Sequence, residues 1–449
     1  MKEVRVFVPF GAVGIGVGDE AFQAGLDLNP DVISSDCGST DSGPYYLGTG
    51  NGKYARESVK SDLRKMVVAG AKRGIPVTLG TVGTCGVDRS VDEAVAIIKE
   101  IAQEEGISPK IAKIYTEQNK EKIAEMYRNG KIVALEGAPK IDEKTILSCE
   151  HIVALAGVEP YIEALKHGAD VVVCGRSTDT AVIASYPIMQ GCGEAVSWHA
   201  AKVTECGNLC TTEPFGGGAF VTINKDSFTV EATTKGASCT PYTVSAHMLY
   251  ENSDPIRLTE PGIVIDTTNS KYEQLAGGRV RVTGTEIEHK PYTMKLEGSR
   301  AAGYQTASLT GVRDRDVMRD PWRWLNSLEA FVSAKLDKLG FDRKTYSVQL
   351  APYGYNAVYG GEVPEGFVPN EIGVLLRVTA DTQKLASEVA RVYNPFLLHH
   401  PATQEKQMPS FAFPFSPNEF ERGKLYEFVL HHVAMIDNFK EMLRIEYEF

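Results

Sequence analysis

The chain has 449 residues, of which 43% are hydrophobic and 23% charged, and its formal net charge is −11. This length predicts two or three domains, each large enough to bury its own hydrophobic core. The acidic balance argues against nucleic acid as a partner, because phosphate binding requires clustered Lys and Arg side chains.

The N-terminal segment "MKEVRVFVPF" leads directly into an alternating strand pattern at residues 4–8. It lacks the apolar core of a signal peptide, and no later apolar run is long enough to span a membrane. The eight cysteines are scattered along the chain, which is typical of buried thiols in a reducing compartment. We therefore expect a cytoplasmic protein without membrane contact.

The first part of the sequence alternates between strand and helix patterns. Strands are predicted at 4–8, 31–35, 76–80 and 169–175, and amphipathic helices at 57–74 and 90–106. Strand–helix–strand units with nearly unbroken Val/Ile strands indicate a parallel sheet covered on both faces. The predicted fold class is α/β, with a doubly wound, mostly parallel sheet domain over residues 1–215.

After residue 215 the pattern changes. Short strands separated by Gly, Pro and Asn dominate at first, and strands then mix with amphipathic helices from about residue 320. This pattern predicts a second, strand-rich α+β domain over residues 216–449.

Two similar polar loops each follow a predicted strand directly. The first contains "STDS" (39–42) and the second contains "RSTDT" (176–180). Ligands gather at the carboxyl ends of the strands in an open parallel sheet, and right-handed connections put both loops on that edge. The alternative is that each Asp or Ser only caps the following helix. We expect the two loops to converge on one active site.

The residue types in these loops predict roles in acid–base catalysis. Arg176 is suited to hold a carboxylate or a phosphate with two parallel hydrogen bonds. Asp41 and Asp179 are the candidate general acid and base, with Glu136 and Glu205 in reserve. A divalent cation held by the two aspartates is the alternative. The predicted substrate-binding residues are Ser39, Thr40, Ser42, Arg176, Ser177, Thr178 and, from a third loop, Thr84.

The glycine-rich stretch "GAVGIGVGDE" (11–20) suggests a nucleotide fingerprint, with Gly14, Gly16 and Gly18 as candidate cofactor-binding positions. Its spacing is G-x-G-x-G, whereas the dinucleotide motif is G-x-G-x-x-G. Close approach of the backbone to some other ligand is therefore the preferred interpretation. The pair Cys206 and Cys210, without a second pair or nearby histidines, is a weak indication of a metal site, and we predict none.

The stretch "GADVVVCGRSTDTAVIASYPIMQG" (168–191), followed by "WHAAKVTECGNLC" (198–210), resembles the acyclic terpene utilisation (AtuA-like) family. The family pattern falls on Gly168–Asp170, Gly175, Arg176 and Asp179, and on Glu205–Gly207 followed by Gly216–Gly218. The segment "GDEAFQAGL" is also similar, and the resemblance covers roughly the first half of the chain. It implies a catabolic enzyme acting on branched acyclic acids as coenzyme A thioesters.

These observations together predict a lyase, specifically a hydro-lyase, that acts on a small carboxylic acid or its thioester. Elimination next to a carbonyl needs an acid–base pair and an oxyanion clamp but no redox cofactor, so no cofactor is required and a divalent cation is optional. One alternative is a ligase or transferase whose glycine loop binds a nucleotide or coenzyme A phosphate. Another is a non-catalytic subunit of a catabolic complex. We also expect a homo-oligomer.

Overall fold

The computed structural model describes residues 3–249, 252, 254–405 and 409–449. The chain forms two compact units, one comprising Met1–Arg300 with Glu427–Phe449 and the other Ala301–Tyr426. This division differs from the predicted boundary at residue 215. Within the described ranges, none of the helices is both long and apolar enough to cross a membrane.

The strands and helices follow one another along the whole described chain. In chain order they are β1 (Val4–Val8), α1 (Asp19–Asp27), β2 (Val32–Asp36), α2 (Pro44–Thr49), α3 (Arg56–Arg73), β3 (Val77–Gly80), α4 (Asp88–Glu105), β4 (Ile111–Tyr115), α5 (Lys120–Arg128), β5 (Ile132–Ala134), α6 (Glu143–Leu147), β6 (Cys149–Ala154), α7 (Glu159–Lys166), β7 (Val171–Cys174), α8 (Ala181–Gln190), α9 (Glu194–Thr204), β8 (Ala219–Ile223), β9 (Ser227–Ala232), α10 (Pro241–His247), β10 (Arg257–Glu260), β11 (Ile263–Asp266), β12 (Lys271–Leu275), β13 (Arg279–Thr283), β14 (Glu286–His289), β15 (Thr293–Val312), α11 (Arg315–Arg319), α12 (Pro321–Lys338), β16 (Tyr346–Tyr353), β17 (Ile372–Ala380), α13 (Gln383–His399), β18 (Phe411–Ala412), β19 (Glu419–Met435) and β20 (Arg444–Glu448).

A ten-stranded sheet in the order β12-β13-β9-β8-β1-β2-β3-β7-β4-β20 forms the centre of the first unit. Five adjacent strands of this sheet are parallel to one another, in the order β1-β2-β3-β7-β4. The strands added on either side are antiparallel. The predicted α/β class is confirmed, and the change of pattern after residue 215 marks the switch from parallel to antiparallel strands.

Helices cover both faces of the parallel strands. Alternate strand residues point to opposite faces, so neighbouring residues of one strand contact different helices. In β1, Phe7 packs with the buried side chains of α1, α3 and α4. Its neighbours Val6 and Val8 pack instead with those of α7, α8 and α9. The strands are therefore buried on both faces, which explains their nearly continuous apolar sequences.

The second unit has a hydrophobic core of its own. Strand β17 pairs antiparallel with β16 and with residues 304–312 of β15. Helices α12 and α13 pack on this sheet through side chains that include Trp324, Leu328 and Tyr393. The long strands β15 and β19 begin in one unit and end in the other.

The parallel strands end at one edge of the sheet, where their loops lie very close together. A Cβ atom on Gly86 would lie 2.2 Å from the backbone nitrogen of Arg176, so the loops after β3 and β7 touch through their backbones. In the loop after β3, Thr81 and Thr84 have φ angles of 49° and 69°. Such left-handed conformations cost free energy in residues other than glycine and often occur at functional sites.

We expect Gly86→Ala to lower the free energy of unfolding by about 3 kcal/mol or more, because it combines left-handed strain with a backbone clash. Gly106→Ala is the matched control. Gly106 has nearly the same φ angle, 66° against 67° for Gly86, but a Cβ there has nothing within 4 Å. Strain alone should cost about 1 kcal/mol at that position. Denaturant unfolding measures the free energy of unfolding of both variants. Equal losses in the two variants would refute the close approach of Gly86 to the Arg176 backbone.

Candidate active site

Glu297, a buried residue of β15, binds both polar loops at once. Thr40 of the first loop donates a hydrogen bond from Oγ1 to Glu297 Oε2 at 2.9 Å. Arg176 of the second loop donates to the same oxygen from Nε at 3.0 Å, and from Nη2 to Oε1 at 3.3 Å. The two loops therefore meet in space, as the strand pattern predicts.

All three nitrogens of the Arg176 guanidinium donate to protein oxygens. In addition to its bonds to Glu297, Nη1 donates to Asp179 Oδ1 at 3.1 Å, to Thr81 Oγ1 at 3.2 Å and to the carbonyl of Ser177 at 2.9 Å. The backbone N–H of Arg176 donates to Thr116 Oγ1 at 2.7 Å, in the loop after β4. Arg176 thus binds several loops to one another, which differs from the predicted role as a clamp for a substrate carboxylate.

The Arg176–Glu297 pair is strongly ionised despite its burial. Burial disfavours the charged carboxylate of Glu297, but attraction by Arg176 and Lys295 outweighs it and lowers the pKa to about 2. Burial likewise disfavours the charge on Arg176, yet Glu297 and Asp179 raise its pKa. The bidentate geometry gives such a pair the hydrogen bonds that a buried charge requires.

Beside this pair lies a cluster of further carboxyl groups around the Lys202 ammonium, which we call the acidic cluster. Lys202 donates to Glu205 Oε1, and Thr180 Oγ1 donates to Glu260 Oε1 at 2.6 Å. The cluster consists of Asp36, Asp179, Lys202, Glu205 and Glu260, whose charges interact with one another. Asp179 is partly accessible to solvent, with 25% of its side chain exposed.

Several carboxyl oxygens in the acidic cluster are buried without a hydrogen-bond partner among the described residues. They are Asp36 Oδ1, Glu205 Oε2 and Glu260 Oε2. A buried unsatisfied polar atom is costly, so each such atom in a native structure requires an explanation. A bound proton, substrate or cation would supply the missing partner.

The pKa values of these groups are raised toward or above neutrality. Burial raises the pKa of Glu205 to about 8 and that of Glu260 to about 7, against the attraction of Lys202. Burial also raises the pKa of Asp36 well above its usual range, and repulsion from Asp179 adds to this effect. Carboxyl groups with pKa values near 7 are suited to proton transfer at neutral pH.

One group of side chains at this cluster could hold a metal ion. The ligand atoms of Glu205, Cys206 and His247 all lie within 4.8 Å of one another. Cys210, the neighbour in sequence that suggested a cysteine pair, is buried and interacts with Cys239 instead.

The glycine loop has its backbone amides occupied by the protein itself. Gly14 and Gly16 donate their N–H groups to Asp62 Oδ2 of α3 at 2.7 and 3.0 Å. The N–H of Gly18 donates to the carbonyl of Gly216 at 3.1 Å. A side-chain carboxylate therefore takes the place that a phosphate would need, which argues against the predicted cofactor-binding role of these three glycines.

In the first polar loop, Thr40 is buried, whereas Asp41 is exposed to solvent. Ser39 Oγ hydrogen-bonds to the Asp41 carboxylate and accepts the Asp41 N–H at 3.4 Å. Ser42 Oγ accepts a hydrogen bond from Lys53 Nζ at 2.7 Å. The structure thus brings Thr40, rather than the predicted acid or base Asp41, to Glu297, which also binds Arg176 of the second loop.

The other predicted residues take different positions. Ser177 is fully buried and accepts a hydrogen bond from Tyr161 Oη at 3.0 Å, while Thr178 Oγ1 accepts the N–H of Ala181, the first residue of α8, at 3.2 Å. The buried hydroxyl of Thr84 has no partner within the described residues. Glu136 lies exposed on the turn after β5, which pairs with β19 and is not a strand of the ten-stranded sheet. Glu136, predicted as a reserve acid or base, therefore does not follow one of the parallel strands whose loops form the site.

A cavity of about 400 Å³ lies beside the loops after β2 and β3, between α3 and α4. Cys37, the residue after Asp36, contributes to its wall, as do Val82 and Gly83 of the loop after β3. Its remaining wall is largely apolar, with Lys53, Tyr54, Arg56, Val59, Leu63, Glu93, Ala94 and Ile97 among the lining residues.

The sequence pattern of the acyclic terpene utilisation family protein AtuA matches residues 48–420. The chain belongs to this AtuA family. The match confirms the resemblance and extends it, because it continues far beyond the first half of the chain, while the segment "GDEAFQAGL" lies before it. The description of the family refers to acyclic terpene utilisation, which is a catabolic role. Neither the curated proteins nor the solved structures contain a match.

Sequence reasoning missed much of the chemistry in this AtuA-family site. Glu260, Glu297 and His247 all come from the strand-rich part of the chain, far in sequence from the polar loops. No local motif marks them. Lys202 carried a usable signal, because it lies three residues before Glu205 on a helix and is therefore placed to contact it.

We expect Glu297→Gln to lower the free energy of unfolding by about 3 kcal/mol at pH 7, since it leaves Arg176 without its main partner. The folded pKa of Glu297, about 2, lies below the ordinary value of 4.5. Its stabilisation is therefore present above about pH 4.5 and is lost as the pH falls toward 2. Denaturant unfolding at several pH values should show the difference between the two proteins shrinking in that window.

Glu100→Gln serves as the control, because Glu100 forms ion pairs with Arg56 and Lys60 on the surface. Solvent screens such pairs, so no resolvable loss is expected there. A Glu297→Gln variant as stable as its parent at pH 7 would contradict the structural role assigned to the pair.

Proposed function

We propose that this AtuA-family protein is a hydro-lyase that acts on a small carboxylic acid, or on its coenzyme A thioester, by acid–base chemistry. The observation that carries the proposal is the carboxyl group of the half-buried residue Glu260, which has a pKa of about 7 and lies in a cluster with the Lys202 ammonium. Hydration and elimination next to a carbonyl require such a proton-transfer group and a cation at the oxygen where charge develops.

In the proposed elimination, the Glu260 carboxylate removes the proton from the carbon next to the carbonyl. Lys202 holds the carbonyl or carboxylate oxygen, because an ammonium group has three donors and one of them binds Glu205. The electron pair forms the new double bond, and the hydroxyl group leaves as water after receiving from Glu260 the proton that this carboxylate has removed. Thr180 fixes the Glu260 side chain through its hydrogen bond to Oε1.

The structure offers less support for a nucleotide- or coenzyme A-dependent ligase. Such an enzyme would need free backbone amides at the glycine loop, and Asp62 accepts those of Gly14 and Gly16. The occupied glycine amides do not argue against a coenzyme A thioester as substrate, since only its acyl group has to reach the acidic cluster. The apolar cavity between α3 and α4 is a separate place where a hydrocarbon group could bind.

We expect Glu260→Gln to lower turnover by about 10²- to 10⁴-fold, because the amide cannot accept the proton. The assay incubates the protein in D₂O with a panel of short branched 3-hydroxy acids and their coenzyme A thioesters. NMR then follows deuterium incorporation next to the carbonyl and loss of the hydroxyl group. Since Glu260 acts as the base, the rate should rise as the pH increases through about 7, and the variant should lose this dependence.

Asp41→Asn is the comparison variant, because Asp41 is exposed on the first polar loop. Loss of turnover in Asp41→Asn, with Glu260→Gln fully active, would assign the base to the first loop and refute the role of Glu260. A correctly folded parent protein that exchanges no hydrogen with any member of the panel would contradict the proposal as a whole.

A further inference from the structure

Three potential metal ligands of different chemical types meet at the end of α9. Glu205 and Cys206 directly follow this helix, and His247 is the last residue of α10. A carboxylate oxygen, a thiol sulfur and an imidazole nitrogen from these residues all lie within 4.8 Å of one another. These distances are compatible with three ligands around one ion, since bond lengths of 2.0–2.3 Å separate tetrahedral ligands by about 3.5 Å.

The surroundings of this group contain more carboxyl groups than cationic side chains. The carboxyl groups of Asp36, Asp179, Glu205, Glu260 and Glu297 are accompanied by the cations Arg176, Lys202 and Lys295. The carboxyl oxygens Asp36 Oδ1, Glu205 Oε2 and Glu260 Oε2 are buried without a hydrogen-bond partner among the described residues. A cation could bind such oxygens directly, whereas an anion would offer them no donor. The surplus of carboxyl groups therefore favours a cation over an anion as the ligand of the site.

Glu205 is oriented for such a role. Its Oε1 atom accepts a hydrogen bond from Lys202, whereas Oε2 is buried and has no partner in the part of the chain that the structure describes. Only 2% of the residue is exposed. Carboxylates that bind metals are commonly fixed by a hydrogen bond on their other oxygen, so Lys202 would orient Glu205 and leave Oε2 for the ion.

The backbone around Cys206 is also held in place. A Cβ on Gly11 would lie 2.5 Å from the Cα of Cys206, so the loop after β1 packs directly against the Cys206 backbone. This contact restrains the backbone that carries the Cys206 thiol. The site is therefore supported from the glycine loop on one side and by Lys202 on the other.

We propose that Glu205, Cys206 and His247 bind one divalent transition-metal ion of the zinc class. The combination of thiolate, imidazole and carboxylate is the ligand set of zinc and differs from the oxygen-only sets preferred by Mg²⁺ and Ca²⁺. Three protein ligands leave a fourth position open, as in catalytic zinc sites, where water or a substrate oxygen could bind. The site does not depend on the proposed hydro-lyase activity.

The test measures metal binding by the full-length chain after removal of metals with a chelator. Zn²⁺ is titrated in competition with a chromophoric chelator, and Co²⁺ is added separately to detect a thiolate-to-cobalt charge-transfer band. We expect one ion per chain and this band in the parent protein. Cys206→Ser should abolish the band, and both Cys206→Ser and His247→Ala should weaken Zn²⁺ binding by about 100-fold or more.

Cys85→Ser and His400→Ala are matched controls, because both residues are buried and lie outside the proposed site. Thermal unfolding checks that every variant is folded, and His247→Ala keeps the test decisive if Cys206→Ser fails to fold. Binding that the controls weaken as much as the site variants would identify adventitious thiol binding and overturn the proposal. Absence of Zn²⁺ and Co²⁺ binding by the folded parent protein would overturn it equally.

Discussion

The buried ion pair between Arg176 and Glu297 is the interaction on which the organisation of the candidate active site depends. It connects the loop after β7 with β15, and through Thr40 it also includes the loop after β2. Ser299, two residues further along β15, donates to the carbonyl of Pro44 at 3.0 Å and reinforces the same connection. An unpaired charge at this place would be strongly destabilising, so the loops and β15 have to keep this arrangement together.

The two kinds of strand in the first unit make different contributions. The parallel strands bring their loops to one edge because they all run in the same direction, and backbone contacts such as that of Gly86 hold these loops together. The strand-rich segment that follows supplies Glu260 and Glu297, and α10 supplies His247. Neither part of the chain contains the complete set of charged groups, and the acidic cluster exists only where they meet.

This division explains how much could be predicted from the sequence. Periodicity reveals local structure, so the predicted helices at 57–74 and 90–106 correspond closely to α3 and α4. The direction of the strands then sufficed to predict that the loops containing Thr40 and Arg176 meet. The partner of both, Glu297, is 121 residues from Arg176 in the chain, and its partners depend on strand pairing that no local pattern encodes.

The burial of individual carboxyl groups could not be predicted from the sequence either. Asp41 and Asp179 occupy similar motifs, yet one is exposed and the other half-buried beside Arg176. The same motif therefore gives two carboxyl groups with different surroundings. The raised pKa values of Glu205 and Glu260 arise from desolvation, which depends on the packed structure as a whole.

The contact between Asp62 and the glycine loop has a consequence for sequence comparison. Gly14 and Gly16 have φ angles of 112° and 84°, and their amides converge on one carboxylate oxygen. A glycine-rich loop can thus have the sequence typical of phosphate binding while a carboxylate of the protein itself, here that of Asp62, occupies the phosphate position. Whether a related chain is able to accept a phosphate at this loop should depend on the residue that it carries at the position of Asp62, which lies well outside the motif itself.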